Sequence, residues 1–114
     1  MKEVYKNEKK ILSSLKTASS FFSRLQGLMF TKEMIDMDGL LIEDCKSIHT
    51  CFMRFPIDVF FMNKSNEIVK IIRNMKPWRM SSFYFNASQV IETMPNADEG
   101  YLQEGDKLEL RCLN

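Results

Sequence analysis

Apolar side chains recur at helical spacing early in the chain and, from about residue 40 onward, at a spacing of two. Phe21, Phe22, Leu25, Leu28 and Met29 fall three and four positions apart, which predicts a helix over Ser20 to Met29 with Ser19 or Ser20 as its N-cap. At about 100° per residue the stripe centres near Leu25. Arg24 lies at its edge, where the stem covers core and the guanidinium reaches a neighbour. Before this helix, Ile11, Leu12 and Leu15 predict a short first strand ending near Thr17. After it, Thr31 to Met37 makes another helical turn, and Asp38-Gly39 supplies the turn chemistry that admits a strand over Leu40 to Glu43.

Pro56 cannot donate to a ladder and drives Phe55 toward extended geometry, so it marks a strand start, an edge or a bulge. Ile57 to Met62 follows as a strand buried on both faces. Asn63-Lys64-Ser65-Asn66 is a polar turn leading into Glu67 to Arg73, which predicts a β-hairpin. Residues 74 to 88 form a long connection expected to fold over one end of the sheet. Gln89 to Met94 is another strand, Pro95 to Gly105 is turn-rich, and Leu108, Leu110 and Cys112 alternate with Glu109 and Arg111 in a half-buried last strand. The fold class expected is mainly β with an α+β element: a compact antiparallel β-sandwich or barrel carrying one or two short helices.

Length adds one bound: 114 residues make a single domain that buries a core without disulfide or metal staples, read as an N-terminal tail and first strand over residues 1–18 and a globular β domain over 19–114. No run of 18 apolar residues marks a membrane span. Sixteen basic against fifteen acidic residues leave no large field for nucleic acid or anionic lipid, so neither partner is expected. Lys2, Lys6, Lys9 and Lys10 interleave with Glu3 and Glu8 as a solvated tail. The start lacks an apolar leader, which favours the cytoplasm. Cys45, Cys51 and Cys112 are an odd set without CxxC spacing, so neither a disulfide framework nor a zinc knuckle follows, and no cofactor is expected. The scattered methionines read as core filling.

The candidate chemistry concentrates in Ser47 to Met62, which holds the only histidine. On a continuous strand Cys45, Ser47, His49, Cys51 and Met53 would share one face. That gathers two thiols and an imidazole, but no fourth zinc ligand is apparent. A cysteine with histidine also suggests a nucleophile and its base, against the default meaning of cysteine in an apolar run, a small buried hydrophobe. Asp58 shares a face with Phe60 and Met62. Buried there it needs a partner, and Arg24, Arg54 and Arg73 are the available ones. It is then either an ion-paired bolt for the hairpin or one wall of a polar pocket with His49. Trp78 and Arg79, after Pro77, are an aromatic and cationic lid or packing onto the open end of a barrel.

Arg24-Leu25-Gln26-Gly27-Leu28-Met29, the run from Ile48 to Val59, Pro77-Trp78-Arg79 and Gly105-Asp106 together resemble the domain of unknown function 192 family, over about Ser19 to Leu110. The resemblance implies a compact, mainly antiparallel β domain with the helix on its sheet. It implies no reaction, and it singles out Arg24, His49, Thr50, Arg54, Asp58, Trp78, Arg79 and Glu92 as matching the family's polar positions. One departure stands out: where the family continues from the glutamate through a Leu-Pro-Ala-Gly-like turn, this chain has Glu92-Thr93-Met94-Pro95-Asn96-Ala97 and lacks the glycine. The function expected is a non-enzymatic binding or accessory module with a polar cleft near His49 for a small molecule, peptide or protein segment. The competing classes are a hydrolase-like enzyme using His49 with Asp58 or a cysteine, and a purely structural domain.

Overall fold

The computed structural model describes residues 1–18 and 37–113. Among these residues it is a single mixed sheet of seven strands: β1 (Lys2–Lys6), β2 (Lys9–Ala18), β3 (Gly39–Glu43), β4 (Ile57–Met62), β5 (Ile68–Met75), β6 (Gln89–Thr93) and β7 (Glu109–Cys112). Their order is β5-β4-β6-β3-β2-β1-β7. All neighbours are antiparallel except β2 and β3. The expected strands from Leu40 onward are present. The expectation of a sandwich or closed barrel is corrected to one open sheet, and the helices expected over Ser20 to Met29 and from Thr31, with Arg24, lie outside the described residues.

Strand alternation builds two cores. On one face Leu40, Ile42, Ile57, Val59, Phe61 and Val90 cluster with Cys45, Ile48, Met53, Phe55 and Ala87 from the long connections. On the other, Leu41, Phe60, Met62 and Ile91 meet Val4, Leu12, Leu15, Leu102 and Leu108. Strands β3, β4 and β6 are therefore apolar on both sides, as central strands covered on two faces require. β2 approaches β3 so closely that a Cβ on Gly39 would lie 2.9 Å from a Leu12 methyl, which is why this position carries no side chain.

The lysine-rich start is no tail. It is β1, whose central Val4 is buried, joined to β2 by a tight turn in which Asn7 and Glu8 both have positive φ, the geometry that matches the twist of a hairpin. At the opposite edge, Ile68 N–H donates to Asp106 O (2.8 Å), and Gly105 N–H to Ile68 O (2.7 Å). This short joint ties the start of β5 to the chain entering β7 without making a continuous ladder.

Two long connections, residues 44–56 and 76–88, pass over the first core and are fastened to it by their apolar side chains, Tyr84 lying with its ring centroid 4.7 Å from that of Phe61. No helix among the described residues is long and apolar enough to cross a membrane.

Candidate functional site

The connections 44–56 and 76–88 bind each other as an irregular antiparallel ribbon. Thr50 N–H donates to Arg79 O (2.9 Å), Ser81 N–H to Ile48 O (2.9 Å) and Tyr84 N–H to Lys46 O (2.9 Å). His49 and Met80 are directly paired. Cross-strand partners share a face, so alternation turns Ile48 and Thr50 inward, where both are buried, and His49 and Met80 outward, where both are exposed. This corrects the expectation of a continuous strand over 45–53. Cys45 and Met53 are buried while Ser47 and His49 are exposed and Cys51 is half-buried, so the thiols and imidazole do not line one face.

Thr50 is the clamp. Its hydroxyl donates to Lys76 O (2.6 Å) and accepts from Arg79 N–H (2.9 Å), while its carbonyl accepts from Trp78 N–H (3.1 Å) and Met53 N–H (3.2 Å). Thr50→Val keeps the shape and strips the hydroxyl, leaving the part-buried Lys76 carbonyl and Arg79 amide without that partner. Urea denaturation should show a loss of about 1–3 kcal/mol.

Around this clamp two aromatic residues occupy left-handed backbone, Phe52 at φ 68° and Trp78 at φ 63°. That region disfavours bulky side chains and is held only where the surroundings dictate it. Their rings meet edge to face with centroids 4.7 Å apart, and both remain exposed. Further along the second connection Met80, Phe83 and Phe85 are also exposed, the last two rings 4.9 Å apart. Arg54 and Arg79 are exposed beside the pair in sequence. His49 Nδ1 accepts from Cys51 N–H (3.3 Å).

Of the residues the sequence nominated, the ribbon thus gathers His49, Thr50, Trp78 and Arg79, with Arg54 two positions beyond Phe52. It does not gather Asp58 or Glu92. In β4 and β6 Val59 opposes Glu92 and Asp58 opposes Thr93, so the two carboxylates project from opposite faces of the sheet. Asp58 is buried in the second face and both its oxygens are engaged: Oδ2 accepts from Arg73 Nη1 (2.9 Å) and Asn96 N–H (2.8 Å), Oδ1 from Asn74 N–H (2.8 Å). Arg73 also grips Asp98 with both terminal nitrogens (2.7 and 2.9 Å). Burial pushes the Asp98 carboxyl up, but the guanidinium and the Leu102 and Gly100 amides outweigh it and hold it below the ordinary carboxylate range. Asp98 was not foreseen, because it sits in a turn-rich stretch with no periodicity to place it. Asn96, in the turn that lacks the glycine, adopts φ 63°, which asparagine tolerates better than most residues, and delivers its amide to Asp58.

Glu92 lies among the first core, between Leu40 and Val59 in register. Burial alone raises its carboxyl to about 8, with no charge or hydrogen bond from a described residue to offset it. The sequence also gave no notice of Phe52, Met80, Phe83 and Phe85 as surface residues: apolar side chains in long connections read as core until a backbone shows which way they turn.

The matches to other proteins cover nearly all of this architecture. The profile of DUF192, described as uncharacterized ACR, matches residues 3–110. The chain belongs to the DUF192 family. A UPF0127 protein of Pyrococcus furiosus is 33% identical over 105 residues, covering 89% of this chain and 90% of the relative. One from Pyrococcus horikoshii is 34% identical over 109 residues, covering 90% and 94%. A crystal structure of a protein of unknown function from Novosphingobium aromaticivorans superposes with a TM-score of 0.76 at 21% identity, covering 95% of this chain and 82% of that one. That likeness is one of fold. For this DUF192 domain the family shows membership and shape and names no reaction, so function must be argued from the surface itself.

Proposed function

We propose that this domain is a non-enzymatic binding module whose recognition surface is the outer face of the Thr50-clamped ribbon. One observation carries the reading. Among the described residues, the large apolar side chains left exposed away from the chain ends are Phe52, Trp78, Met80, Phe83 and Phe85, and all five lie on the two connections that Thr50 joins. Scattered apolar residues on a surface need no explanation, whereas a concentration rimmed by polar groups marks an interaction site. The strained backbone at Phe52 and Trp78 fits the same role, since such conformations concentrate at binding and switching positions.

A partner segment suits this surface better than a small molecule, because the exposed side chains form a ridge along the ribbon. The hydrolase alternative has less support: His49 is on the ribbon, Asp58 is buried on the opposite sheet face with its oxygens taken, and no hydrogen bond joins the two. A structural-only role leaves the exposed ridge without a purpose.

The test is selection from a displayed random-peptide library on the wild-type domain and on a Trp78→Ser, Met80→Ser variant whose fold is verified by circular dichroism. Both side chains are exposed, so their loss should cost little stability. Peptides enriched on the wild type should bind the variant at least about tenfold more weakly, as expected when central anchors are removed. Equal enrichment on both proteins would remove the proposed site.

A further inference from the structure

Resting on the binding-module reading, we infer that the occupant of the ridge is an acidic segment of another protein, anchored by apolar side chains and read electrostatically by Arg54, Lys76 and Arg79. The two connections together carry Lys46, Arg54, Lys76 and Arg79 against one acid, Asp44, a local surplus of three positive charges in a chain whose total is +1. Elsewhere Lys6 pairs with Asp106 (2.8 Å), Lys10 with Glu3 (2.9 Å) and Arg111 with Glu8 (3.3 Å), while Lys2, Lys9, Lys16, Lys64, Lys70 and Lys107 form no ion pair with a described residue. On the ribbon, Arg54, Lys76 and Arg79 form no ion pair with a described residue, and among the described residues Arg79 Nη1 reaches the carbonyl of Trp78 alone (3.4 Å). Lys46 is spent internally, its ammonium donating to Phe85 O and Ala87 O.

The far end of the ridge continues the pattern. Phe85 stands beside an open depression of about 450 Å³ walled by Lys46, Asn63, Lys64, Ser65, Asn86 and Ser88, with no carboxylate in its lining. Met80 and Phe85 are five residues apart, at most roughly 18 Å along the chain, so a ligand laid along the ridge spans no more than about five residues. It meets the edge-to-face pair at one end and the Phe83, Phe85 pair at the other. Tryptophan, phenylalanine, methionine and arginine are the residues that enrich protein interfaces. Three charges without an ion pair to a described residue steer an acidic peptide and set its register, but supply too few phosphate contacts to hold a nucleic acid and too little attraction to hold a bilayer.

The deciding experiment extends the library selection to two more proteins: Phe83→Ser, Phe85→Ser, and the charge reversal Arg54→Glu, Arg79→Glu. The wild-type pool should be rich in Asp and Glu around aliphatic or aromatic residues. The charge-reversed protein should bind that pool at least about tenfold more weakly and enrich Lys and Arg instead. On the wild type, a selected peptide should lose affinity as salt is raised, a readout independent of any variant's folding. A pool of neutral or basic peptides that still depends on Trp78 and Met80 would overturn the acidic partner and leave the binding module standing. A pool indifferent to every variant would overturn both. Tighter binding of duplex or single-stranded DNA, or of phosphatidylserine vesicles, would replace the protein segment with a polyanion. A dimer abolished by Phe85→Ser would replace it with a second copy of this chain.

Discussion

Asp58→Ala should cost about 3–5 kcal/mol in urea denaturation, the range expected when one partner of a buried charge network is removed. The carboxylate is 2% exposed and satisfies three donors from three places: the Arg73 guanidinium in β5, the Asn74 amide beside it and the Asn96 amide after β6. Its removal leaves two part-buried amides unpaired and frees one arm of an arginine that Asp98 and the Leu102 carbonyl must then hold. A domain of this size has about 5–15 kcal/mol in hand, so the midpoint of thermal unfolding should fall by more than about 10 °C. Arg73→Ala should be comparably damaging, and the double variant less than the sum, because each single change strands the other's partner. A loss below about 1 kcal/mol for Asp58→Ala would show that the network is not the bolt between the β4–β5 hairpin and the turn after β6.

Glu92→Gln should act in the opposite direction. Burial between Leu40 and Val59 raises the carboxyl from 4.5 to about 8, so the folded chain holds a proton that the unfolded chain releases. Stability is then fully present below about pH 4.5 and declines as pH rises through about 8. At about 1.4 kcal/mol for each tenfold difference in proton affinity, the cost of carrying this carboxyl reaches about 4 kcal/mol at the upper end of that window. The glutamine variant has no proton to lose. Its stability should match the wild type near pH 5, exceed it by a few kcal/mol at pH 8 to 9, and vary little between. Parallel pH profiles for the two proteins would mean that Glu92 is not the group responsible.

The same carboxylates show what was legible in the sequence and what was not. The β4–β5 hairpin could be read because Pro56, an apolar run and a polar turn stand in order. The turn closes as those residues suggest, with Asn63 Oδ1 accepting from the Ser65 and Glu67 amides. Asp58 could be read as a buried group in need of an arginine, and Arg73 was among the three proposed. Pairing of Asp58 and Glu92 across the sheet could not be judged, because their faces depend on the register of β4 against β6, and a single-residue offset reverses the answer. β1 went unread because its lysines look like a solvated tail. Only Val4 in its centre is fully buried, while Lys10 reaches back to Glu3 and Lys6 to Asp106. The stretch from Cys45 to Met53 misled for the converse reason: its apolar residues anchor a connection to the core at irregular intervals, and alternation there is local to the pairing of His49 with Met80.

The surface proposed for recognition was half legible. His49, Thr50, Trp78 and Arg79 stood out by type, and the ribbon unites them, although Thr50 turns inward as the clamp. The aromatic ridge did not stand out, since exposure of Met80, Phe83 and Phe85 is set by backbone direction.

Trp78 is the sole tryptophan and is 58% exposed, so its fluorescence reports directly on the surface proposed for binding. Titrating the wild-type domain with a peptide selected on it should move the emission maximum to shorter wavelength and protect the indole from acrylamide, saturating at one peptide per chain. A peptide that binds with equal affinity while Trp78 keeps its emission and its quenching would place recognition elsewhere and contradict the account.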